Sequence, residues 1–333
     1  MAKAKRVALG VVAVIVAIVV IVILSGWELG WYSPAQNGNP TTSTGTPIQH
    51  VVVILMENQE VPTIYQQPSE FSYLSSAYGN DTEFYPVCHG SMPDYMSMIS
   101  GQAFACGNET DPITTHSNLP DIIQSHGDTW GGYFESMPTP CDRTDSGLYL
   151  IQHNPFLNFQ DIEANVSRCN SHILNSEIFN ESVAAGSLPT VSWYVPNDVD
   201  DCDISSLVFC SEWLSAFLGP ILSSTNPSVQ GLVAHTAFVV AFDEGTTDLG
   251  YSVGGLINTW CQNQTGSPLS TCGGHSYLTV VSPYSKGTQD TLPTTDYSVA
   301  STIEWLFDLG TVGSYDGTAN FPSMNSLFTF SAN

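Results

Sequence analysis

The sequence predicts an α/β protein with a central, largely parallel sheet between helices. Four short runs are nearly continuously apolar and rich in β-branched or aromatic residues: HVVVILM (50–56), TVSWYV (190–195), TAFVVAF (236–242) and YLTVVSPY (277–284). Strands of this composition are buried on both faces, as in a parallel sheet covered by helices. Helical patterns lie between or after these runs, at residues 94–100, 211–222 and 296–310, and the last is expected to end at Gly310 as its C-cap.

Residues 1–26 are predicted to form an N-terminal membrane anchor or signal segment. Three Lys and Arg residues precede an uncharged apolar run at residues 7–24, which approaches the hydrocarbon thickness of a bilayer. The run is longer than the apolar part of most signal peptides, and aromatic residues that can anchor at the interface follow it. We therefore expect an uncleaved signal-anchor transmembrane helix with its positive end inside; the alternative is a cleaved signal and a secreted protein.

A stretch rich in Ser, Thr, Pro and Asn follows at residues 27–47 and is predicted to be a flexible stalk. No second linker of this kind interrupts residues 48–333, which are interpreted as one domain. This organisation places the domain on the extracellular face of the cell membrane.

The charge balance is strongly acidic, with 31 Asp and Glu against 6 Lys and Arg and a formal net charge of −25. Beyond residue 48 the only Lys and Arg residues are Arg143, Arg168 and Lys286. Such a surface repels nucleic acid, which is excluded as a partner, and anionic membrane surfaces. The balance favours a protein that works at low external pH, because protonation relieves the repulsion between carboxylates. Nothing in the sequence indicates an oligomeric state.

All eight cysteines lie beyond the membrane segment, and an even number there predicts disulfides in an oxidising compartment. Sequence does not fix the connectivity, but pairing of neighbours would give Cys88–Cys106, Cys141–Cys169, Cys202–Cys210 and Cys261–Cys272. Five Asn-x-Ser/Thr sequons agree with an extracellular glycoprotein. They begin at Asn80, Asn108, Asn165, Asn180 and Asn263.

Polar residues follow three of the predicted strands at their carboxyl ends. Glu57 and Asn58 follow the first strand, Asp243 and Glu244 follow the strand at 236–242, and Asn197 opens the segment NDVDDCD after the strand at 190–195. Ligands of open α/β sheets bind beyond the carboxyl ends of the strands, so these oxygens are predicted to meet in one site. Each residue alone could equally be a turn former or a helix cap.

An oxygen-rich set of this kind suits a divalent cation, with Mg²⁺, Ca²⁺ or Mn²⁺ favoured over Zn or Fe. Ser91, in CHGSMPDYMSMISG, precedes a predicted helix, whose N-terminal amides favour an alkoxide or a phosphate. A metal that coordinates the Ser91 hydroxyl would lower its pKa and activate it as a nucleophile. The alternative is that Ser91 only caps the helix.

Seven segments, in this order, resemble the phosphoesterase family of acid phosphatases and phospholipases C, a branch of the alkaline-phosphatase superfamily. They cover residues 49–310 and are HVVVILMENQE, HGSMPDYMSMISG, HNPF, PTVSWYVPNDVDD, FVVAFDEG, VVSPYSKG and DYSVASTIEWLFDLG. The resemblance implies an archaeal or bacterial surface member with an alkaline-phosphatase-like, three-layer α/β/α sandwich and a serine nucleophile, Ser91. The metal ligands that it implies are Glu57, Asn58, Ser91, Asp243 and Glu244.

The resemblance also implies roles for residues around the nucleophile. His153 in HNPF would donate to a phosphoryl oxygen or protonate the leaving group, and His275 is a second catalytic candidate. His89 and Asn197 are candidates for binding the substrate. The alternative for each histidine is a structural or surface position.

Carboxylates stand at three positions where the family carries hydrogen-bond donors: Asp94, Asp203 and Asp296. A carboxyl group donates only when it is protonated, so Asp94 could bind substrate at low pH. Alternatively, Asp201, Asp203 and Asp296 bind a second cation, or activity has been lost. We therefore expect an extracellular, metal-dependent acid phosphatase that hydrolyses small phosphomonoesters. The alternatives are a phospholipase C-type phosphodiesterase and a non-catalytic glycosylated surface protein that keeps the fold.

Overall fold

The computed structural model describes residues 45–105, 113–246, 273–319 and 321–330, and an eight-stranded mixed sheet forms the centre of this part of the chain. The strands are β1 (His50–Met56), β2 (Gly79–Asp81), β3 (Trp130–Phe134), β4 (Ile173–Asn175), β5 (Val191–Val195), β6 (Thr236–Phe242), β7 (Leu278–Val281) and β8 (Gln289–Asp290). Their order across the sheet is β4-β3-β5-β1-β6-β7-β2-β8.

The pairing confirms the predicted largely parallel sheet. The strands β4, β3, β5, β1 and β6 pair in parallel, as do β2 and β8, whereas β7 runs antiparallel to both of its neighbours. Strand β1 lies at the centre, with Val51 opposite Val191 on one side and Ala237 on the other. Because β1, β5 and β6 are parallel neighbours, their carboxyl ends meet at one edge of the sheet.

The helices are α1 (Val61–Ile64), α2 (Glu70–Ala77), α3 (Ser91–Met98), α4 (Leu119–His126), α5 (Gln160–Glu163), α6 (Val166–His172), α7 (Ser176–Ala185), α8 (Leu207–Leu222), α9 (Pro227–Val233) and α10 (Asp296–Phe307). Short 3₁₀ turns lie at Ile151–His153, Pro155–Asn158 and Asn325–Leu327. The predicted C-cap at Gly310 is wrong, because α10 ends at Phe307 and its C-cap is Asp308, two residues before Gly310, with a left-handed φ of 56°.

Side chains of β1 alternate between two hydrophobic cores, one on each face of the sheet. Val51, Val53 and Leu55 belong to the core that includes residues of α3, α4 and α10. Val52, Ile54 and Met56 belong to the core that includes residues of α2, α7, α8 and α9. Alternation along a strand sends successive side chains to opposite faces, so a strand between two helical layers must be apolar throughout. This arrangement is the predicted three-layer α/β/α sandwich.

Two of the expected disulfides, Cys141–Cys169 and Cys202–Cys210, are confirmed. Cys88 is also disulfide-bonded. The remaining cysteines, Cys106, Cys261 and Cys272, lie outside the described residues.

The sequons differ in their surroundings. Asn165 and Asn180 are exposed, whereas Asn80 lies half-buried in β2 and its Oδ1 accepts a hydrogen bond from Tyr65 at 3.2 Å. Asn108 and Asn263 lie outside the described residues.

The predicted anchor at residues 1–26 and the stalk up to residue 44 also lie outside the described residues. In the part that is described, no single helix has both the length and the apolar composition to cross a membrane. Only α8 and α9 taken together, with a bend of 110° between them, meet that test on length and composition.

Candidate active site

Three strand ends meet at the carboxyl edge of the sheet, as the sequence predicts. The amide of Asn58, just beyond β1, donates to Asp243 Oδ1, just beyond β6, at 3.1 Å. The amide of Glu57 donates to the carbonyl of Asp201, in the segment that follows β5, at 2.8 Å. Asn58 has a left-handed φ of 56°, a conformation that Asn adopts more readily than most residues. The turn after β1 therefore brings oxygens from all three strands to one place.

Ser91 is the first residue of α3, and its side chain is buried. The N-cap position belongs to Gly90, whose φ of 131° is open to glycine and to few other residues, and no side chain caps α3. The Ser91 hydroxyl donates instead to Glu57 Oε2 at 2.9 Å. Ser91 is therefore turned toward the carboxylate at the end of β1 and does not cap the helix.

Glu57 is fully buried and contacts four donor groups. Its Oε2 accepts from Ser91 and from Asn58 Nδ2, at 2.9 and 3.0 Å. Its Oε1 accepts from the Tyr95 hydroxyl at 2.5 Å and lies 3.3 Å from His153 Nε2. Tyr95 is not among the site residues predicted from the sequence; the signal that points to it is its spacing of four residues from Ser91 on a helix, which puts both on one face.

His153 lies in the 3₁₀ turn Ile151–His153, between two buried carboxylates. Its Nε2 faces Glu57, and its Nδ1 lies 3.4 Å from Asp201 Oδ2. Asp203 connects to both sides of this group, because its amide donates to Asp201 Oδ1 at 2.9 Å and its Oδ1 accepts from Asn58 Nδ2 at 2.9 Å. An imidazole between two acids is well placed to hold or move a proton.

His89 and Glu244 form the outer side of the site. His89 Nδ1 lies 2.5 Å from Glu244 Oε2, and the amide of Gly90 donates to Glu244 Oε1 at 3.1 Å. The side chain of His89 is about a third exposed, at 32%, against 10% for Glu244. The loop before Ser91 is thus tied to the carboxylate after β6, with His89 at the solvent boundary.

Asp94 and Asp296 form a second buried pair of carboxyl groups, on facing helices. The amide of Cys88 donates to Asp94 Oδ1, and the amide of Val87 donates to Asp296 Oδ2, each at 2.8 Å. Their other oxygens, Asp94 Oδ2 and Asp296 Oδ1, accept no hydrogen bond from a described residue. Burial, and then the charge of Asp296, raises the pKa of Asp94 well above its usual range; burial raises the pKa of Asp296 to about 7.

The pKa values of the central carboxyl groups are raised as well. Burial raises the pKa of Glu57 well above its usual range, and the charges of Asp243 and Asp201 raise it further. Burial and the charge of Glu244 do the same to the pKa of Asp243. Burial and the charge of Glu57 raise the pKa of Tyr95, so its hydroxyl remains a donor. Without a compensating positive charge, these acids retain protons that ordinary carboxyl groups release.

A divalent cation fits the donor chemistry of this group. Asp243 Oδ2 is buried and accepts no hydrogen bond from a described residue, and the neighbouring donors are oxygens of the kind that hard cations prefer. Within the described ranges, no three His, Cys, Asp or Glu side chains stand in metal-ligating geometry. The three residues predicted to bind a second cation do not form one group. Asp201 and Asp203 contact each other, whereas Asp296 pairs with Asp94.

Two predicted site residues have other contacts. His275 Nε2 lies 2.9 Å from the carbonyl oxygen of Thr82, and its ring stacks on Tyr85 at 4.8 Å. Asn197 Nδ2 donates to Glu135 Oε2 and Asp200 Oδ2, and its Oδ1 accepts from the amides of the next turn. No hydrogen bond between either residue and Ser91 is found in the described part of the chain. Their roles in catalysis and substrate binding stay predictions.

The fold defines a class of protein, the alkaline-phosphatase-like α/β sandwiches. A solved structure of a protein in the alkaline phosphatase superfamily from Vibrio parahaemolyticus superposes with a TM-score of 0.50 at 10% identity, covering 79% of this chain and 67% of that one. At this identity the likeness concerns the fold alone.

Within that class, residues 65–310 match the Phosphoesterase family, and the chain belongs to this family. A probable acid phosphatase from Kluyveromyces lactis is 26% identical over 286 residues, which are 83% of this chain and 62% of the relative. A phosphatidylinositol-3-phosphatase from Mycobacterium tuberculosis is 26% identical over 212 residues, which are 61% of this chain and 68% of the relative. The chain spans 50–66% of the length of the three fungal acid phosphatases that match it first.

Proposed function

We propose that this protein is an extracellular, metal-dependent acid phosphatase that hydrolyses small phosphomonoesters with Ser91 as its nucleophile. The observation that carries the proposal is the contact between the Ser91 hydroxyl and Glu57 Oε2, 2.9 Å apart, at the N-terminus of α3. Membership of the Phosphoesterase family and the similarity to acid phosphatases support the type of reaction.

In the proposed reaction the Ser91 oxygen attacks phosphorus, and its proton passes to Glu57 Oε2. The new Oγ–P bond forms as the bond from phosphorus to the leaving oxygen breaks, which gives a phosphoserine and an alcohol. The N-terminal end of α3 favours negative charge beside Ser91. Water then attacks the phosphoserine, and the release of phosphate restores the hydroxyl.

His153 is placed to assist both steps. Its Nε2 shares Glu57 Oε1 with Tyr95, and Asp201 lies at its Nδ1. A proton on this ring can reach the leaving oxygen in the first step and be recovered from water in the second. Asp201 fixes which way the ring faces.

The residues that would hold a divalent cation are Glu57, Asn58, Ser91, Asp243 and Glu244. When bound, the cation supplies Lewis-acid polarisation of the phosphoryl group and favours the ionised forms of its ligands. The identity of the cation, proposed as Mg²⁺, Ca²⁺ or Mn²⁺, follows from the oxygen-only donor set. The membrane anchor and extracellular location belong to the same proposal and are supported by the disulfides and by the exposed sequons at Asn165 and Asn180.

The test is turnover of p-nitrophenyl phosphate and bis-p-nitrophenyl phosphate by the full chain in detergent, from pH 3 to 8, with and without chelator. Ser91→Ala should reduce turnover to background, whereas Ser97→Ala, a buried serine on the same helix, should keep it. Acid-quenched samples should carry phosphate on Ser91 by mass spectrometry. Chelator should abolish turnover and a divalent cation should restore it.

Three results would overturn parts of this proposal. No turnover of either ester with any cation would refute the enzyme. Full activity of Ser91→Ala would refute the nucleophile. Faster hydrolysis of the diester than of the monoester would assign a phosphodiesterase of the phospholipase C type.

A further inference from the structure

We propose that Tyr95 is a positioning residue of this site, whose hydroxyl fixes the carboxylate of Glu57 so that Oε2 faces Ser91 and the group is ready for a divalent cation. This inference rests on the proposed function, in which Glu57 receives the Ser91 proton. Nothing in the sequence patterns or in the family resemblance assigned a role to Tyr95.

The helix places Ser91 and Tyr95 on the same side of Glu57. They lie four residues apart on α3, so their side chains leave the same face, one turn apart. The Ser91 hydroxyl donates to Oε2 at 2.9 Å, and the Tyr95 hydroxyl donates to Oε1 at 2.5 Å. A carboxylate held at both oxygens by one helix cannot rotate away from that helix. The position of the nucleophile and the orientation of its proton acceptor are therefore coupled through α3.

Tyr95 also limits what His153 can do. The two rings meet edge to face at 5.8 Å, and His153 Nε2 lies 3.3 Å from the same Oε1 that Tyr95 binds more closely. If the tyrosine hydroxyl were absent, Oε1 would be free to turn toward His153, and Oε2 would turn away from Ser91. Tyr95 thus keeps the histidine and the serine on different oxygens of Glu57.

The burial of its partner distinguishes Tyr95 from other buried tyrosines. Tyr194 and Tyr85 also donate to carboxylates, but their partners are half-buried, whereas Glu57 is fully buried. Tyr277 and Tyr149 donate to main-chain carbonyls, those of Phe71 and Asp142, at 2.7 and 2.8 Å. Tyr95 donates to a buried carboxylate with which no Lys or Arg of the described residues makes contact. When Glu57 is ionised, as a bound cation would favour, its hydrogen bond from Tyr95 is stronger than one between neutral groups. Residues that orient metal ligands in this way affect affinity and activity by about 10- to 100-fold.

The test compares Tyr95→Phe with Tyr277→Phe in the full chain. Tyr95→Phe keeps the ring that packs on His153 and removes only the hydroxyl. Tyr277→Phe removes an equally buried hydroxyl from the opposite core of the sheet. For each protein, the dissociation constant of Mn²⁺ is measured by calorimetry at pH 6, and kcat and KM for p-nitrophenyl phosphate are measured with saturating Mn²⁺. Thermal unfolding reports the structural cost of each change.

We expect Tyr95→Phe to weaken Mn²⁺ binding and to lower kcat, each by about 10- to 100-fold, with KM little changed. Tyr277→Phe should lower Tm and leave both constants unchanged. Wild-type Mn²⁺ affinity and kcat in Tyr95→Phe would overturn the inference, as would a chain that binds no Mn²⁺. A fall in kcat without weaker Mn²⁺ binding would reduce Tyr95 to a structural role and overturn it too. A wild-type chain that lacks turnover but loses Mn²⁺ affinity on Tyr95→Phe would refute the proposed function and keep the positioning role.

Discussion

The free energy of unfolding should fall as the pH rises from 4 to 8, and Asp81 should account for a large part of that fall. Asp81 ends β2, and its side chain is only 2% exposed. It accepts hydrogen bonds from the Thr294 hydroxyl at 2.5 Å and from the amide of Glu83 at 2.9 Å, but no cation contacts it in the described structure. Burial raises the pKa of Asp81 to about 8, although both hydrogen bonds oppose the shift.

The sign and size of the effect follow from proton linkage. In the unfolded chain the pKa of an aspartate is 3.8, so the folded protein binds this proton more tightly than the unfolded chain does. The stabilisation is complete below about pH 4, falls as the pH rises, and is lost by the folded-state pKa. The unfolded-state pKa and pH 7 lie about three pH units apart. The free energy of unfolding therefore falls by an amount on the order of 4 kcal/mol by pH 7.

The assay is urea unfolding of the disulfide-intact protein at a series of pH values. A loss of this size should lower the wild-type midpoint by about 1 M between pH 4 and 7. Asp81→Asn keeps an acceptor oxygen and cannot ionise, so its midpoint should change much less with pH and should exceed that of the wild type above pH 7. Asp142→Asn, a change at the protein surface, serves as the control and should retain the wild-type fall. A wild-type midpoint that stays level or rises with pH would refute the reasoning, and so would equal slopes for wild type and Asp81→Asn.

Three further predictions concern the site. Glu57→Gln should lower kcat by about 100-fold or more, because the group proposed to accept the proton of Ser91 is lost; near-normal turnover of p-nitrophenyl phosphate would contradict this. His153→Asn should cost about 100-fold in kcat, whereas His275→Asn should cost less than about 5-fold because its ring contacts a main-chain carbonyl; the reverse order would disprove the assignment. Replacing Cys202 and Cys210 together by Ser should lower stability by about 2–3 kcal/mol and lower kcat, since residues beside this disulfide contact the site; unchanged unfolding and kinetics would refute the link.

The parts of the fold that the sequence predicted are those whose signal is continuous along the chain. Strands β1 and β6 begin and end where their apolar runs do, since burial on both faces requires such runs. Strand β3 was missed because Gly131 and Gly132 interrupt its sequence, WGGYF. The three-residue strands β2 and β4 are too short to show a period. The end of α10 was misplaced because Asp308 takes the left-handed conformation before the expected glycine does.

The residues of the site also differ in whether the sequence could predict their positions. Glu57, Asn58 and Asp243 were predictable to lie together, because the carboxyl ends of neighbouring parallel strands converge whatever the loops do. The pairing of His153 with Asp201 depends on a 3₁₀ turn and on the course of the segment after β5, and neither leaves a periodic pattern in the sequence. Tyr95 was hidden for another reason: a tyrosine in an apolar helix normally indicates core packing, and only its partner reveals a different role.

The distribution of Lys and Arg residues explains why the acids of this site would need protons or a metal ion to neutralise them. Arg143 pairs with Glu163, Arg168 pairs with Asp121 and Asp161, and Lys286 is exposed. These three are the only Lys and Arg residues beyond residue 48, and all of them lie in the described ranges. The buried carboxyl groups at the sheet edge therefore have no guanidinium or ammonium partner in the described structure, and histidines are their only side-chain partners that can carry a positive charge.

In the proposed metal-dependent enzyme, protons and a divalent cation would compete for the same oxygens. Acid would protonate the ligands and weaken cation binding, whereas a pH above neutrality would ionise Asp296, whose pKa burial raises to about 7, beside Asp94 without a counter-charge. Activity should consequently pass through a maximum on the acid side of neutrality, where the central ligands can still bind the cation while Asp296 keeps its proton. Higher cation concentration should move the acid limb of the pH profile to lower pH and leave the alkaline limb in place. An acid limb that does not move with cation concentration would show that protonation of some other group sets it.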